Sequence, residues 1–511
     1  MTLLLLTLLL PALSGAALVL GGRRDPSWQR MAGTAALAAS VATALAALGT
    51  VVSRPVLDRA WVPALGWRWH FAVDGISAPL VLLTALLGVA VVVHTRHGVA
   101  AEPHPPPFYG CLLIVEAGAL ATFLTRDAVV FFLAFETVLV PMWVLISRYG
   151  DPHDAAARAD ASARFVLYTV LGSTLMLLGI LALVHNAGTS DLGALAAASA
   201  SASAASAASA ASASAPAAMT GAGQTVVAAL LLLGLGIKVP LWPFHTWLPP
   251  AHTVAPTAGS VLLAAVLLKM GSYGIVRLVV APLPLGFARL APVLGALGVV
   301  GILWGGLACL VENDLKRLVA YSSVAHMGFV ALGLSTGTAT GLQAALFANV
   351  AHAVVSALLF FVVGGLKARW GSADLRTARA ALREVAPRMG VALVVGAAAA
   401  LGLPGLVGFW GEFLTMYAAW SPAPGRPVGL FRVFAVLAVM GTGLAAAYAL
   451  RVLRTVWSGD LDQPPLADAR GAEWAVIATM ATAVVVLGVL PGPLLATTAA
   501  DVARITSGAG R

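Results

Sequence analysis

The chain has 511 residues, of which 60% are hydrophobic and only 10% are charged, and its mean hydropathy is +0.93. A soluble domain carries about 25% charged residues, so the composition excludes a soluble protein and indicates a polytopic membrane protein. The net charge of +9 does not indicate nucleic-acid binding, because the basic residues are scattered over short loops, and two cysteines are too few for an iron–sulfur cluster or a disulfide framework.

The first predicted element is the apolar segment MTLLLLTLLLPALSGAALVL at residues 1–20. It is short enough to be the apolar region of a signal peptide. However, no positive residue precedes it, and Arg23 and Arg24 follow it, which is the reverse of a signal peptide's polarity. We therefore predict that it is the first membrane helix, with its N-terminus outside.

Further apolar stretches follow along the whole chain, and a membrane-spanning helix needs about 20 such residues. They predict an all-α polytopic membrane protein with about fourteen transmembrane helices. The predicted spans are residues 2–20, 31–53, 76–95, 108–125, 127–147, 164–185, 225–246, 255–280, 290–310, 315–335, 341–366, 389–418, 430–456 and 472–495. An even number of spans places both termini on one side.

The distribution of basic residues tests this orientation. With the N-terminus outside, the inside loops hold 18 Lys and Arg residues, among them Lys316 and Arg369, and the outside segments hold 10. Cytoplasmic loops carry the excess of Lys and Arg. The bias therefore predicts that both termini lie on the outer side.

Residues 194–217, ALAAASASASAASAASAASASAPA, are of low complexity. Alternating Ala and Ser supply no bulky apolar surface for a membrane span. We predict an outside loop, flexible or loosely helical, without a function of its own.

Two lysines remain inside predicted spans, Lys238 and Lys269. The chain has only four lysines against 26 arginines, yet both of these positions are Lys. A buried Lys can release its proton, whereas Arg cannot. Charges at membrane depth are rare and mostly functional, so we predict proton carriers; the alternative for each is a static ion pair between helices.

Three carboxylates also fall within spans: Glu116 in CLLIVEAGALATF, Glu136 in VVFFLAFETVLVPMW and Glu412 in GLVGFWGEFLTMY. Glu136 and Lys238 form the expected couple. At about 4 Å and an effective dielectric constant near 20 their attraction is about 4 kcal/mol. Separating them would release a proton from Lys238. For Glu116 a static role is the alternative to a place in proton transfer.

Histidines lie between these charges. His326 in YSSVAHMGF and His352 in NVAHAVVSALLFF are mid-span. A lone His on a packed helix is usually a core residue, but a line that already holds two Lys and two Glu favours a proton relay. His245 and His252 flank a proline-rich stretch and are expected to serve either water access or structure.

Prolines interrupt two of the spans that carry charges. Pro240 and Pro243 follow Lys238 in IKVPLWPFHTWLPPAH, and Pro404 precedes Glu412 in GLPGLVGFWGEF. Broken helices at corresponding places in two halves are typical of inverted-repeat transporters. The pattern therefore predicts an ion site at each break.

Four motifs together resemble a known family: FETVLVPMWVLISRYG, IKVPLWPFHTWLPPAHTVAPTAGSVLLAAVLLKMGSYGIVRL, ENDLKRLVAYSSVAHMGFV and GLPGLVGFWGEF. They are similar to the antiporter-like membrane subunits of respiratory complex I, the proton-pumping NADH–quinone oxidoreductase. The resemblance covers essentially the whole chain, including HFAVDGISAPLVLLTALLG, and is strongest to the M-type chain, the counterpart of mitochondrial subunit four.

The resemblance implies fourteen helices with two inverted five-helix repeats, each containing a broken helix. On this division residues 1–106 form helices 1–3, and residues 107–280 form the first repeat with an Ala/Ser-rich outside loop at 190–224. Residues 281–457 form the second repeat, and residues 458–511 form helix 14 and a tail.

The resemblance also implies residue roles. Glu136 resembles the modulating carboxylate, Lys238 the first proton-carrying lysine and Lys269 the central lysine. His326 and His352 resemble the bridge between the repeats, and Glu412 the terminal proton donor. The related L-type and N-type chains and the multi-subunit sodium/proton antiporters have Lys at this last position, so Glu412 favours the M type.

A module of this family is expected to translocate protons without binding a nicotinamide, flavin, quinone or metal itself. Its expected partners are the L-type and N-type chains, protons, internal water and the lipid bilayer, and its expected location is the bacterial plasma membrane. Two alternatives remain: a subunit of a sodium/proton antiporter assembly, and a passive membrane scaffold whose buried charges only hold helices together.

Overall fold

The computed structural model describes residues 1–21, 26–97, 105–198, 219–376, 381–458 and 467–509. Nearly all of the described chain is helical. The helices are α1 (Thr2–Leu20), α2 (Pro26–Ser53), α3 (Ser77–His97), α4 (Pro106–Leu124), α5 (Ala128–Thr137), α6 (Leu139–Tyr149), α7 (Ala155–Ala187), α8 (Gly221–Lys238), α9 (Leu248–Val254), α10 (Thr257–Val280), α11 (Pro284–Val311), α12 (Leu315–Ser335), α13 (Ala339–Trp370), α14 (Leu382–Val385), α15 (Pro387–Ala400), α16 (Val407–Trp420), α17 (Val428–Trp457), α18 (Gly471–Val489) and α19 (Gly492–Ala509).

The helices confirm the predicted fold class. Within the described ranges, 13 segments are long and apolar enough to cross a membrane, with α5 and α6 counted as one. Helices α15 and α16, of 14 residues each, together have the length of one further, interrupted crossing. The total agrees with the predicted number of about fourteen.

Helix α8 is shorter than the predicted span 225–246 because it ends at Lys238. Pro240 has no N–H with which to continue the helix. The carbonyl groups left over at the helix end find other donors: the Trp247 indole donates to the Ile237 carbonyl over 3.0 Å, and the Leu241 N–H donates to the Gly236 carbonyl over 2.9 Å. The chain therefore crosses this depth as an irregular segment with satisfied backbone groups.

The predicted span 389–418 is likewise divided, between α15 and α16. At the break Gly402 has a φ of +75° and Gly405 a φ of +88°. Only glycine adopts such angles without steric penalty. This break confirms the interruption that Pro404 predicted.

A third break divides the predicted span 127–147 between α5 and α6, at Val138. Pro141 lacks the N–H that the Thr137 carbonyl would accept in a continuous helix. The discontinuity lies two residues after Glu136, so a glutamate in this span also lies beside an interrupted backbone.

Helices α10 and α13 form the centre of the protein, and their apolar windows are completely buried. They carry Lys269 and His352. Peripheral helices such as α1, α7 and α17 expose many Leu and Val side chains, as lipid-facing helices do. The polar residues of the centre are thus separated from lipid by a shell of apolar helices.

A β-hairpin that the sequence did not predict follows α2. Strand β1 (Leu57–Val62) pairs antiparallel with β2 (Trp67–Phe71). His70 Nδ1 lies 2.5 Å from Asp191 Oδ2 and fixes the hairpin to the segment after α7.

The C-terminal helix α19 was also not predicted, since residues 496–511 were expected to be a tail. Its Asp501 is buried and accepts a hydrogen bond of 2.7 Å from the Gly75 N–H. This contact places α19 at the same end of the bundle as the hairpin.

An ion triad ties helices together at this end. Asp74 lies 2.6 Å from Arg277 and 2.7 Å from Arg126. Burial would raise the pKa of Asp74, but the two guanidinium groups, Arg277 first, lower it far below its ordinary value. Asp74 also accepts from the Ser77 N–H at the start of α3, so it stays ionised and connects α3, α10 and the start of α5.

Most of the predicted Ala/Ser-rich loop, residues 199–217, lies outside the described residues, whereas residues 192–198 are helical. The division into two inverted repeats stays a prediction.

Candidate functional site

Lys269 and His352 meet in the completely buried centre. Lys269 Nζ lies 2.5 Å from His352 Nδ1 and donates to the Ala264 carbonyl over 2.7 Å. The carbonyl belongs to a π-helical turn, Leu263–Leu267, and such turns recur at functional sites. If the ammonium donates to Nδ1, the neutral imidazole carries its own proton on Nε2, which has no partner among the described residues.

His326 and Glu412 continue this arrangement. The rings of His352 and His326 have centroids 5.6 Å apart, and His326 Nδ1 lies 3.2 Å from Glu412 Oε1. All three side chains line one small cavity, which has room for about one water molecule. Four predicted site residues, Lys269 included, therefore form one series that is buried except for His326, whose side chain is 14% exposed, and that a water molecule is able to bridge.

The break between α15 and α16 shapes the pocket of Glu412. A Cβ atom on Gly402 would lie 2.7 Å from Glu412 Oε2, so the glycine leaves space for the carboxylate. Thr442 Oγ1 donates to the same oxygen over 3.4 Å. Sequence reasoning found the break and the glutamate but not their contact.

Lys238 and Glu136 do not form the expected close pair. No carboxylate oxygen of a described residue lies within 4.0 Å of Lys238 Nζ, which has no hydrogen-bond partner there. The ammonium lies 5.0 Å from the centroid of Phe135 and 6.0 Å from that of Phe165. Aromatic faces attract cations, so these rings hold Lys238, and the attraction between Lys238 and Glu136 acts over a longer distance. The expected separation of about 4 Å was therefore wrong.

Ser173 on α7 lies between the two groups. It interacts with the Glu136 carboxylate and lines a narrow cleft together with Lys238. A hydroxyl both donates and accepts, so Ser173 provides a polar contact where the direct pair is missing.

His245 and His252, the two histidines around the first break, are both buried. His245 makes an edge contact with Tyr321, with centroids 6.3 Å apart. His252 stacks on Phe360 at 4.6 Å, and neither of its ring nitrogens has a partner among the described residues. His252 also experiences the charges of Lys316 and Lys269.

Glu116 lies apart from the series. Its carboxyl group is buried against Gly88, where a Cβ atom would lie 2.5 Å from Glu116 Cδ, and it interacts with Ser40. No cation of a described residue contacts it. This environment suits the static role that was one of the two expectations.

Lys316 is a buried cation that the sequence placed in an inside loop. It is 3% exposed, and its Nζ donates to the Ala255 carbonyl over 2.6 Å. Arg369, assigned to the same loops, forms a two-point ion pair with Glu473 in which both side chains are 3% exposed. The charged sequence around these residues gave no signal of burial; the only hint was that Lys316 is one of four lysines.

The fourth lysine, Lys367, pairs with Asp151 at 2.5 Å near the same end of the bundle. Burial raises the pKa of the Asp151 carboxyl group, but the hydrogen bond from Lys367 lowers it below its ordinary value. Both side chains remain partly exposed. Among the described residues no three His, Cys, Asp or Glu side chains converge as metal ligands do. The interior side chains of Lys269, His352 and Glu412 are each able to bind and release a proton.

Comparison with known proteins identifies relatives along most of the chain. A family model described as "NADH:quinone oxidoreductase/Mrp antiporter, TM" matches residues 125–438. NADH-quinone oxidoreductase subunit M of Rhodobacter capsulatus is 35% identical over 497 residues, covering 94% of this chain and 92% of the relative.

Solved structures agree with this result. A chain of respiratory complex I from Thermus thermophilus, solved with bound NADH, matches with a TM-score of 0.84 and 28% identity over 100% of both chains. A chain of the Mrp complex from Dietzia sp. DQ12-45-1b matches with a TM-score of 0.81 over 100% of both chains, but its identity is 22%, which shows a common fold only.

Proposed function

This chain belongs to the NADH:quinone oxidoreductase/Mrp antiporter transmembrane family, and from that premise we propose that it is the M-type, proton-translocating membrane subunit of an NADH–quinone oxidoreductase. It acts as one part of a translocase. Electrons pass from NADH to quinone in partner subunits, and this chain moves protons in response. It needs no redox group of its own for that task.

One observation carries the proposal: the largely buried series Lys269, His352, His326 and Glu412. Each member binds a proton reversibly, which Arg does not. A proton on Lys269 reaches His352 through their 2.5 Å contact. It then passes to His326 and to Glu412 by way of water in the shared cavity.

Glu136 and Lys238 form the modulating part of the proposed mechanism. In the observed state the ammonium rests on two aromatic rings rather than on the carboxylate. Moving the two charges closer would hold a proton on Lys238, and moving them apart would release it toward Lys269. The break at Val138, beside Glu136, provides the place where such a movement is possible.

We place the protein in the bacterial plasma membrane with both termini on the outer side. The excess of basic residues, 18 against 10, supports this orientation. The contact of α19 with Gly75 supports placing the C-terminus and the hairpin on one side. The proposed partners are L-type and N-type chains in the same membrane arm.

Glu412 is the reason to prefer this assignment over a sodium/proton antiporter subunit. Its carboxylate contacts His326 Nδ1 and Thr442 Oγ1. Both groups are able to share a proton with the carboxylate. Proton pumping that is unchanged when Na⁺ is replaced by K⁺ distinguishes the two assignments.

The test of the function is Lys238→Arg in the assembled complex. Arg keeps the positive charge and binds aromatic faces well, so it would serve a static site as well as Lys does. If Lys238 must release a proton in every cycle, pumping falls about a hundredfold, the lower range for loss of a general acid–base group.

The measurement is proton uptake during NADH oxidation in inverted membrane vesicles, normalised to the amount of assembled complex. Lys238→Met serves as a reference without the charge. Wild-type pumping by Lys238→Arg would remove this residue from the relay and favour the passive scaffold.

A further inference from the structure

Lys316 has an unusual environment for a residue one position away from an exposed arginine. Arg317 is 46% exposed and pairs with Glu312 at 3.2 Å, as ordinary surface residues do. Lys316, on the first turn of α12, instead points into the protein and is 3% exposed. A buried ammonium is costly unless it is paired or functional.

The position of Lys316 is fixed by the C-terminal end of α9. Its Nζ donates to the Ala255 carbonyl over 2.6 Å, and the neighbouring Val254 carbonyl accepts the Asp151 N–H over 2.7 Å. The end of α9 thus joins α12 to the loop after α6. This same short helix carries His252.

His252 is the titratable side chain of α9, the helix whose C-terminal end Lys316 binds at the Ala255 carbonyl. The imidazole is completely buried, and both ring nitrogens are without partners among the described residues. It experiences the charge of Lys316 most strongly and that of Lys269 next. His252 therefore interacts electrostatically with both lysines, and it belongs to the short helix whose C-terminal carbonyl Lys316 binds.

A charged pair in contact with solvent lies at the same end of α9 as Lys316, because Asp151 donates its N–H to the Val254 carbonyl. Lys367 and Asp151 pair at 2.5 Å, and their side chains are 24% and 19% exposed. Lys316 interacts with both and with Asp314, the residue that caps α12. Its charged surroundings are therefore Lys367, Asp151, Asp314 and His252.

We propose that Lys316 is a proton-carrying residue that delivers protons from the Asp151–Lys367 pair, by way of His252, to Lys269. The inference rests on the proposed function and adds to it the path by which protons enter from solvent. In the first step the neutral amine of Lys316 receives a proton that solvent has placed on the Asp151 carboxylate. The ammonium then passes a proton to a free nitrogen of His252, and the imidazolium passes one to the neutral amine of Lys269. Protons alone move, and every donor returns to its starting form.

Like-charge repulsion gives the route its direction. Lys316, His252 and Lys269 are buried and interact electrostatically, so a proton on one member disfavours a proton on the next. A proton that arrives on Lys316 therefore favours release from the site ahead of it. Emptying Lys269 toward Glu412 in turn allows the next proton to enter.

The competing explanation is that Lys316 only caps the C-terminal carbonyls of α9, as Lys and Arg commonly do. Substitution by Arg separates the two roles, because Arg caps carbonyls equally well but does not release its proton. We expect Lys316→Arg to assemble and to lower proton uptake per NADH oxidised about tenfold or more. Arg317→Gln, next to it on the exposed face, is the matched control and should pump as the wild type does.

The experiment compares proton uptake in inverted vesicles that contain the whole complex with Lys316→Arg, Arg317→Gln or Lys269→Arg. Normal uptake by Lys316→Arg overturns the inference. If that variant does not assemble, His252→Gln replaces it, and normal uptake by His252→Gln overturns the inference instead. Normal uptake by Lys269→Arg contradicts the proposed function itself. If Lys269→Arg loses uptake but Lys316→Arg does not, only the proposed entry path through Lys316 is contradicted.

Discussion

Two glycines at the break between α15 and α16 provide a direct test of how Glu412 works. Gly402 has a φ of +75°, and a Cβ atom there would lie 2.7 Å from Glu412 Oε2. Gly405 has a φ of +88°, and a Cβ atom there would have nothing within 4 Å. Substitution by Ala introduces a similar backbone strain at both positions, about 1–2 kcal/mol for an L-residue at positive φ. Only Gly402→Ala also displaces the carboxylate.

The structure gives the size of the added effect. To restore an ordinary contact, Oε2 must move by about 0.7 Å. Because both oxygens belong to one rigid carboxyl group, Oε1 moves as well and leaves its 3.2 Å contact with His326 Nδ1. A hydrogen bond to a charged group contributes about 1.5–3 kcal/mol. Its loss corresponds to roughly a ten- to hundredfold slower transfer between His326 and Glu412.

The assay measures proton uptake per NADH oxidised and the thermal unfolding midpoint of the purified complex for both variants. We expect similar decreases in the midpoint, near-normal uptake for Gly405→Ala and a decrease of about tenfold or more for Gly402→Ala. Glu412→Gln marks the lower limit of activity. Equal uptake by the two glycine variants would show that the position of the carboxylate does not control the transfer and would refute the reasoning.

Three further changes test other parts of the structure. Glu136→Gln should leave the complex assembled but lower proton uptake and coupled quinone reduction, because it removes the only charge proposed to modulate Lys238; normal uptake in vesicles excludes that role. Deletion of residues 199–217, which spares the buried Leu195, should change neither assembly, measured by native gel, nor quinone reduction, since these residues are only Ala, Ser and Pro and include no titratable group. Asp74→Asn should lower the unfolding midpoint, because breaking a largely buried ion pair costs about 3–5 kcal/mol. Since Arg277 lowers the pKa of Asp74, the stabilisation is complete above about pH 4 and is lost only as the pH falls further. The difference in unfolding midpoint between wild type and Asp74→Asn should therefore be constant from pH 7 to about pH 5. A steady decrease of this difference across that range would contradict the ion pair's assigned role.

The sequence predicted the membrane class, about fourteen spans, two of the breaks and nine candidate site residues. These features are local: a span is a matter of apolar length, and a proline or glycine interrupts a helix wherever it stands. Lys269 and Glu412 stood out because a charge inside an apolar run is visible without knowledge of its neighbours. The family resemblance rested on such local motifs and was confirmed by the relatives.

The pairing of these residues was not local and needed the tertiary structure. Lys238 was expected within about 4 Å of Glu136, but no carboxylate oxygen of a described residue lies that close to it. The buried lysine that contacts another titratable side chain in the described part of the chain is Lys269, beside His352. Residues 83 positions apart in sequence meet there because α10 and α13 pack side by side in the centre.

Burial was the other property that only the tertiary structure decided. Lys316 has charged neighbours on both sides in sequence, Asp314 and Arg317, so its pattern is that of a surface loop. Its side chain is buried because α12 begins against the end of α9, where the Ala255 carbonyl accepts a hydrogen bond from Lys316 Nζ. The sequence thus determined which residues are able to carry protons, and the packing of helices distant in sequence determined which of them are close enough to exchange one, because proton transfer requires contact in space.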